Sequence, residues 1–301
     1  MSAVPPTAAV PPLLFGCDFS SAPSRRKPIV VARGRVSGAS VLLDGLDRFD
    51  TLEAFAAWLG APGAWVGGFD LPFGLPRPLV EALGWPTDWA ACMDHYATLT
   101  REQIRATFAA FCDARPVGGK FAHRATDLPA GSSPSMKWVN PPVAYMLHAG
   151  VPLLRAAGAY LVGVQAHDPA AAKVALEAYP GLPARAVLGR RSYKSDDRAK
   201  QTPDRLIARK DLLAALETGA PATQPLLGGL RLKLRMAQHD ALVADASGDS
   251  LDAVLCLLQA AWGARRHAAG APRYGLPAEV DLLEGWIVGA GAVELPPEGA
   301  N

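Results

Sequence analysis

The sequence predicts an α/β fold built on a mixed sheet. Three short apolar runs near the start are joined by turn signals and read as antiparallel strands. A fourth, wholly apolar run follows a helical segment and reads as a parallel strand buried mid-sheet. From Leu75 to Ala157 the pattern is mainly helical. With 301 residues, half of them hydrophobic, the chain can bury a large core and is not disordered throughout.

Taken in order, Met1 to Pro12 is Pro/Ala-rich with no basic start and no apolar core run, so it reads as a tail and not as a signal peptide. Leu13 to Phe19 is the first strand. Pro28 to Val36 is the second, and Ala39 to Leu43 returns beside it after Ser37-Gly38. Thr51 caps a helix whose Leu52, Phe55, Ala56 and Leu59 repeat at helical spacing up to Gly60. Ala64 to Asp70 is the buried strand; a helical crossover makes it parallel to the first. Helices follow over LPRPLVEAL, DWAACMDHYATL, TREQIRATFAAFCDA (Thr100 and Gln103 forming a capping box) and PPVAYMLHAGVPLLRAAG. Between the last two, Asp113 to Asn140 has no period and reads as a long loop, of the kind that is more often functional than inert.

Tyr160 to Val164 and Val174 to Tyr179 are further strands. Thr202-Pro203-Asp204 opens a helix that Gly219 ends. Leu230 to Ala244 reads as helical, Ser250 to Arg266 as the clearest helix of the chain, and Leu276 to Val288 as a weakly patterned ending. The expected organisation is a tail over 1–12, one domain over 13–288 with a helical and loop insertion at about 75–157, and a flexible tail over 289–301.

Acidic residues stand at element ends: Asp18 after LLFGC, Asp70 after AWVGGF, Glu177 after AAKVAL, and Asp249 with Asp252 opening DSLDAVLCLLQAAW. A carboxylate at the end of a buried strand is costly unless a cation or hydrogen-bond donors receive it. Asp249 and Asp252 are three apart and share the first turn of their helix. Together these acids suit a two-metal phosphodiesterase site holding Mg²⁺ or Mn²⁺ through oxygen ligands. Asp18 is the bridging ligand, Asp70 and Glu177 flank it, and Asp252, supported by Asp249, closes the second position. All but Asp252, an acid beside the buried stripe of its helix that needs a partner, also have an ordinary explanation. Asp18 can accept backbone bonds in FSSAPS, Asp70 can organise the LPFG turn, Glu177 can pair with Arg185 or Arg190, and Asp249 can cap its helix.

The net charge of +2 announces no nucleic-acid binder, yet nine basic residues face three acids between Arg185 and Lys210. Arg190, Arg191, Lys194 and Lys200 in this stretch are candidates for substrate phosphates, against the plainer reading of a solvated helix face. In the long loop, HRATD offers Arg124 and Asp127 for substrate contact, against a solvated turn. Cys17, Cys92, Cys112 and Cys256 form no Cys-x-x-Cys and read as reduced core thiols, which with the missing signal peptide points to the cytoplasm. No run reaches the length of a membrane span. A phosphate loop, a Gly-x-Ser-x-Gly elbow and His-x-x-x-His spacing are all absent.

The segments GCDFS, FDLPFGLP, EAYPG, SYKSDDRAKQTPDRLIARKDLLAAL and DSLDAVLCLLQAAW resemble the RNase-H-like nucleases of domain-of-unknown-function family 429, over about residues 13 to 288. The Asp-x-x-Asp-Ala start of the last segment is similar to the terminal motif of RuvC-type resolvases. The resemblance implies an RNase-H-like sheet of five strands in the order 3-2-1-4-5 with helices on both sides, and a nuclease acting on DNA or RNA. Two alternatives stand beside it. One is a non-catalytic nucleic-acid-binding or regulatory module on the same scaffold. The other is a phosphotransferase of the related actin-like/sugar-kinase fold, from whose phosphate loop GCDFSSAPS departs.

Overall fold

The computed structural model describes residues 12–292. The expected tails fall outside the described residues apart from Pro12 and 289–292. In that last piece Ala290 is buried and, just before it, the Val288 amide donates to the Glu177 carbonyl at 2.9 Å.

The chain opens with β1 (Leu13–Asp18), β2 (Ile29–Ser37), β3 (Ser40–Phe49), α1 (Leu52–Gly60) and β4 (Trp65–Asp70). Five helices follow: α2 (Arg77–Ala82), α3 (Trp89–Ala97), α4 (Arg101–Asp113), α5 (Asp127–Ala130) and α6 (Val143–Ala156). Then come β5 (Tyr160–Leu161), β6 (Lys173–Glu177), α7 (Gly181–Leu188), α8 (Pro203–Thr218), α9 (Gln224–Leu227), β7 (Arg231–Lys233), α10 (Met236–Ala244) and α11 (Asp249–Ala268). The start signals act as expected. The Thr51 hydroxyl accepts from the Ala54 amide, Thr100 and Gln103 form the capping box of α4, and Gly219 ends α8 in the left-handed region.

Among the described residues the strands form one mixed sheet of seven, ordered β5-β6-β4-β1-β2-β3-β7. Strands β1, β4, β6 and β5 run parallel, β2 is antiparallel to both its neighbours, and β7 is parallel to β3. The five-stranded expectation is therefore corrected by two edge strands. The run β3-β2-β1-β4 stands as expected with β6 beside it; β5, within the run read as a strand over Tyr160 to Val164, adds a sixth strand outside β6, and β7, three residues long, is too short to show an alternation. Arg231 to Lys233 leaves the helix expected over Leu230 to Ala244 because the free edge of β3 receives it, the Arg231 amide donating to the Ala39 carbonyl at 2.9 Å.

Alternation along the strands divides the core between two faces. Leu14, Val30, Val41, Val66 and Leu176 pack with α7, α8 and the largely apolar middle of α11 on one side. Phe15, Cys17, Ile29, Val31 and Phe69 pack with α1, α3, α4 and α6 on the other. The helices between β4 and β5 thus supply one of the two covering layers. The four cysteines are free and buried. No helix among the described residues is long and apolar enough to cross a membrane.

Candidate metal centre

Asp18 and Asp70 are directly opposite one another in the parallel pairing of β1 with β4. Each follows a glycine by two residues, in Gly16-Cys17-Asp18 and Gly68-Phe69-Asp70, so glycine and acid point to the same face. That face carries α11. A methyl group on Gly16 would collide with the Leu257 amide and the Ala253 carbonyl, and one on Gly68 with the Cys256 carbonyl. Bare backbone on the strands and small residues on the helix let α11 lie directly on the sheet. Its first turn therefore delivers Asp252, fully buried, to the two strand ends. One carboxylate oxygen from each of Asp18, Asp70 and Asp252 lies within 4.8 Å of the others.

Three carboxylates so close, and largely out of water, oppose one another's ionisation. Burial first, and the charge of Asp252 second, push Asp18 well above the usual carboxylate range; the same two causes raise Asp70 to about 7. Asp252 is also raised by burial, against the pull of Lys194. The Lys194 ammonium and the Tyr193 hydroxyl both donate to Asp252. Burial disfavours the Lys194 charge, but Asp252 with the neighbouring acids outweighs it and holds the lysine well above its ordinary range. An ammonium bound among oxygen-only donors is a stand-in for a cation. With ligand distances of roughly 2.0–2.6 Å, one hard divalent ion spans such a set, so the residues present fit Mg²⁺ or Mn²⁺.

The other proposed ligands lie apart from this trio. Glu177 pairs in register with Phe69, one step short of Asp70, so its side chain leaves the sheet on the opposite face. There it accepts from Arg124 at 2.7 and 2.9 Å and from the Phe73 amide at 3.0 Å; the pairing with Arg185 or Arg190 does not occur. Asp249 is buried at the start of α11 and accepts from Lys27 Nζ at 2.7 Å. It does not cap the helix: Gly248 takes that position, and Asp245 accepts from the Ser250 amide.

Arg124 and Asp127 are likewise corrected. Neither in a solvated turn nor at a phosphate, Arg124 and Asp127 form a buried ionic staple. All five N–H donors of Arg124 are used, on Asp127 Oδ1 twice, on both Glu177 oxygens and on the Glu284 carbonyl. No donor remains for a substrate, and the arginine instead ties the long loop to β6 and to the C-terminal segment.

The basic stretch divides. Lys194 enters the site. Arg205 and Arg209 donate to the Lys194 and Tyr193 carbonyls at 2.8 and 2.7 Å, fixing the backbone that presents both side chains. Arg190 and Arg191 are exposed, the latter bound to Asp211 at 2.6 Å, and exposed Lys200 stands 3.6 Å from Asp197. Lys27, Tyr193 and the two glycines were not among the expected site residues; the repeated Gly-x-Asp was the available signal for the glycines. Two hollows flank the acids. A cavity of about 400 Å³ borders Asp70 and Lys194. A groove of about 200 Å³ runs past Asp249 between Arg25, Arg26 and Arg48.

The family model described as protein of unknown function, DUF429, matches residues 16–280, a span that includes all three acids and Lys194. No curated protein and no solved structure matches the chain.

Proposed function

The chain belongs to the DUF429 family, and we propose that it is a divalent-cation-dependent phosphodiesterase acting on nucleic acid. The observation that carries this is the convergence of Asp18, Asp70 and Asp252 from two neighbouring strand ends and the first turn of a helix. The run β3-β2-β1-β4-β6 within the sheet and the Asp249/Asp252 start of α11 support an RNase-H-like scaffold with a RuvC-like terminal motif.

Asp18, Asp70 and Asp252 would hold the cations, Mg²⁺ or Mn²⁺, while Asp249, bound to Lys27, stands beside them. The chemistry such ions would supply there is activation of water and compensation of the charge that develops on a phosphate. The chain's own groups do the rest. Tyr193 fixes the orientation of Asp252 by its hydroxyl. Lys194, held by the Arg205 and Arg209 contacts to its segment, has its ammonium at the acids and is placed to donate to a phosphate oxygen there. Lys27 bridges Asp249 and Asp196, leaving a second cation beside the acids for the same use. Glu177 acts at one remove, holding Arg124 and the Phe73 backbone that shape the wall next to Asp70.

Calorimetric titration with Mn²⁺ tests the reading together with an oligonucleotide cleavage assay. The wild-type chain binds Mn²⁺ and cleaves; Asp18→Asn loses both while its metal-free form is at least as heat-stable, because one member of the crowded trio no longer ionises. A clean Asp18→Asn preparation with unchanged turnover excludes the ligand set. Nucleic-acid binding without any Mn²⁺ binding favours the non-catalytic module instead.

A further inference from the structure

The cavity of about 400 Å³ next to the acids has a composition that a phosphate site alone does not need. Its walls are mostly apolar, lined by Leu71, Met146, Ile287 and Tyr179, with Ser132, Ser133 and the Arg124–Glu177 pair among the polar lining residues. Asp70 and Lys194 line both this cavity and the candidate metal centre, so a group attached to a phosphate at the acids has this space directly beside it. The volume falls within the ~300–1,000 Å³ that holds a small organic group.

We propose that the cavity accepts one unpaired nucleobase adjoining the scissile phosphate, so that the substrate is single-stranded nucleic acid or a duplex with an extruded nucleotide. This rests on the phosphodiesterase reading and adds the substrate class. A flat heteroaromatic ring gains from an aromatic face and apolar walls, and its edge needs a few polar partners, the combination present here. A base that remains stacked and paired cannot enter a cavity walled by Tyr179, Met146 and Leu71. Extrusion costs least where a base is already unpaired. The wall is also firmly built. Tyr179 is held at both ends, its amide donating to Gln259 at 3.1 Å and its hydroxyl to the Gly131 carbonyl at 3.3 Å, and Arg185 donates to the same carbonyl at 2.7 Å.

The test uses the full chain with Ca²⁺ in place of the cleaving cation, and a short oligonucleotide carrying one fluorescent purine analogue. It is offered single-stranded, fully paired, and paired except for a bulge at the analogue. The single-stranded and bulged forms should bind about tenfold more tightly than the paired one, with a change in emission on binding. Met146→Trp, which fills the cavity, should remove that advantage while leaving Mn²⁺ affinity unchanged. Replacing the analogue by an abasic unit should remove it without any change to the protein. Equal affinity for the three forms, or an abasic oligonucleotide that binds as well as the intact one, overturns the inference while Asp18-dependent Mn²⁺ binding leaves the phosphodiesterase reading standing. Loss of that Mn²⁺ binding in the wild-type chain overturns both.

Discussion

Asp70 is the residue at which the chemistry of the site is most readily measured. Its carboxyl titrates at about 7 in the folded chain against the ordinary 3.8, through burial and then the charge of Asp252. Below the ordinary value both folded and unfolded chains hold the proton. Between the two values the unfolded chain releases it while the folded one retains it, so the stability contributed by this group is lost as pH rises from about 4 through about 7. Thermal unfolding of the metal-free protein should accordingly show a fall in midpoint over that range. Asp70→Asn should flatten the fall, adding on the order of 2 kcal/mol at pH 8, after allowance for the partly open face of the carboxyl, and little at pH 4. Mn²⁺ must displace the retained protons, so its affinity should strengthen with pH across the same interval. A midpoint indifferent to pH between 5 and 8 in the wild-type chain would mean that the carboxylates are not crowded.

At the scale of elements, the site depends on how closely α11 approaches β1 and β4. Gly68→Ala places a methyl against the Cys256 carbonyl, which cannot yield as a flexible side chain would. The expected cost is ~1–3 kcal/mol, with a loss of Mn²⁺ affinity as Asp252 is lifted from Asp18 and Asp70. Gly60→Ala is the control: a methyl there meets nothing, so melting should be unchanged or slightly raised and Mn²⁺ binding intact. Equal Mn²⁺ affinity in Gly68→Ala and the wild-type chain would show that helix seating does not position the ligand.

The same elements explain what could be read from the residues alone. Asp18 and Asp70 were legible because each ends an apolar strand, and Asp252 because it interrupts an apolar helix start. Glu177 was misplaced by one register step. Its strand was recognised, but the pairing offset that turns the side chain to the other face depends on β4 and leaves no mark in AAKVALEAYPG. The burial of Arg124 was hidden for a related reason, since its partners Glu177 and Glu284 are remote in sequence. The strand β7 was missed because RLK is shorter than any alternation that distinguishes strand from helix.

On the whole molecule, a net charge of +2 conceals two basic surfaces, and only one adjoins the acids. Arg190 and Arg191 are among the expected phosphate contacts, but Arg191 is bound to Asp211 and both lie on the exposed surface after α7, outside the residues lining the two hollows. Arg25, Arg26 and Arg48 line the groove past Asp249, the other hollow bordering the site besides the base-sized cavity at Asp70. On the proposed reading, a strand whose scissile phosphate is at Asp18, Asp70 and Asp252 and whose base occupies that cavity would continue along the arginines. Each phosphate they neutralise contributes roughly 0.7–0.9 to the slope of log affinity against log salt. Arg25→Ala with Arg26→Ala should lower the slope by up to about 1.5, and weaken binding of all sequences alike. Arg190→Ala with Arg191→Ala should lower it by less than half as much, since both lie outside the two hollows and Arg191 is held to Asp211 at 2.6 Å, whereas Arg25 stands 3.9 Å from its partner Asp50. The reverse ranking in filter-binding measurements across a salt series would move the phosphate track to the α7–α8 connection and separate it from the groove beside Asp249.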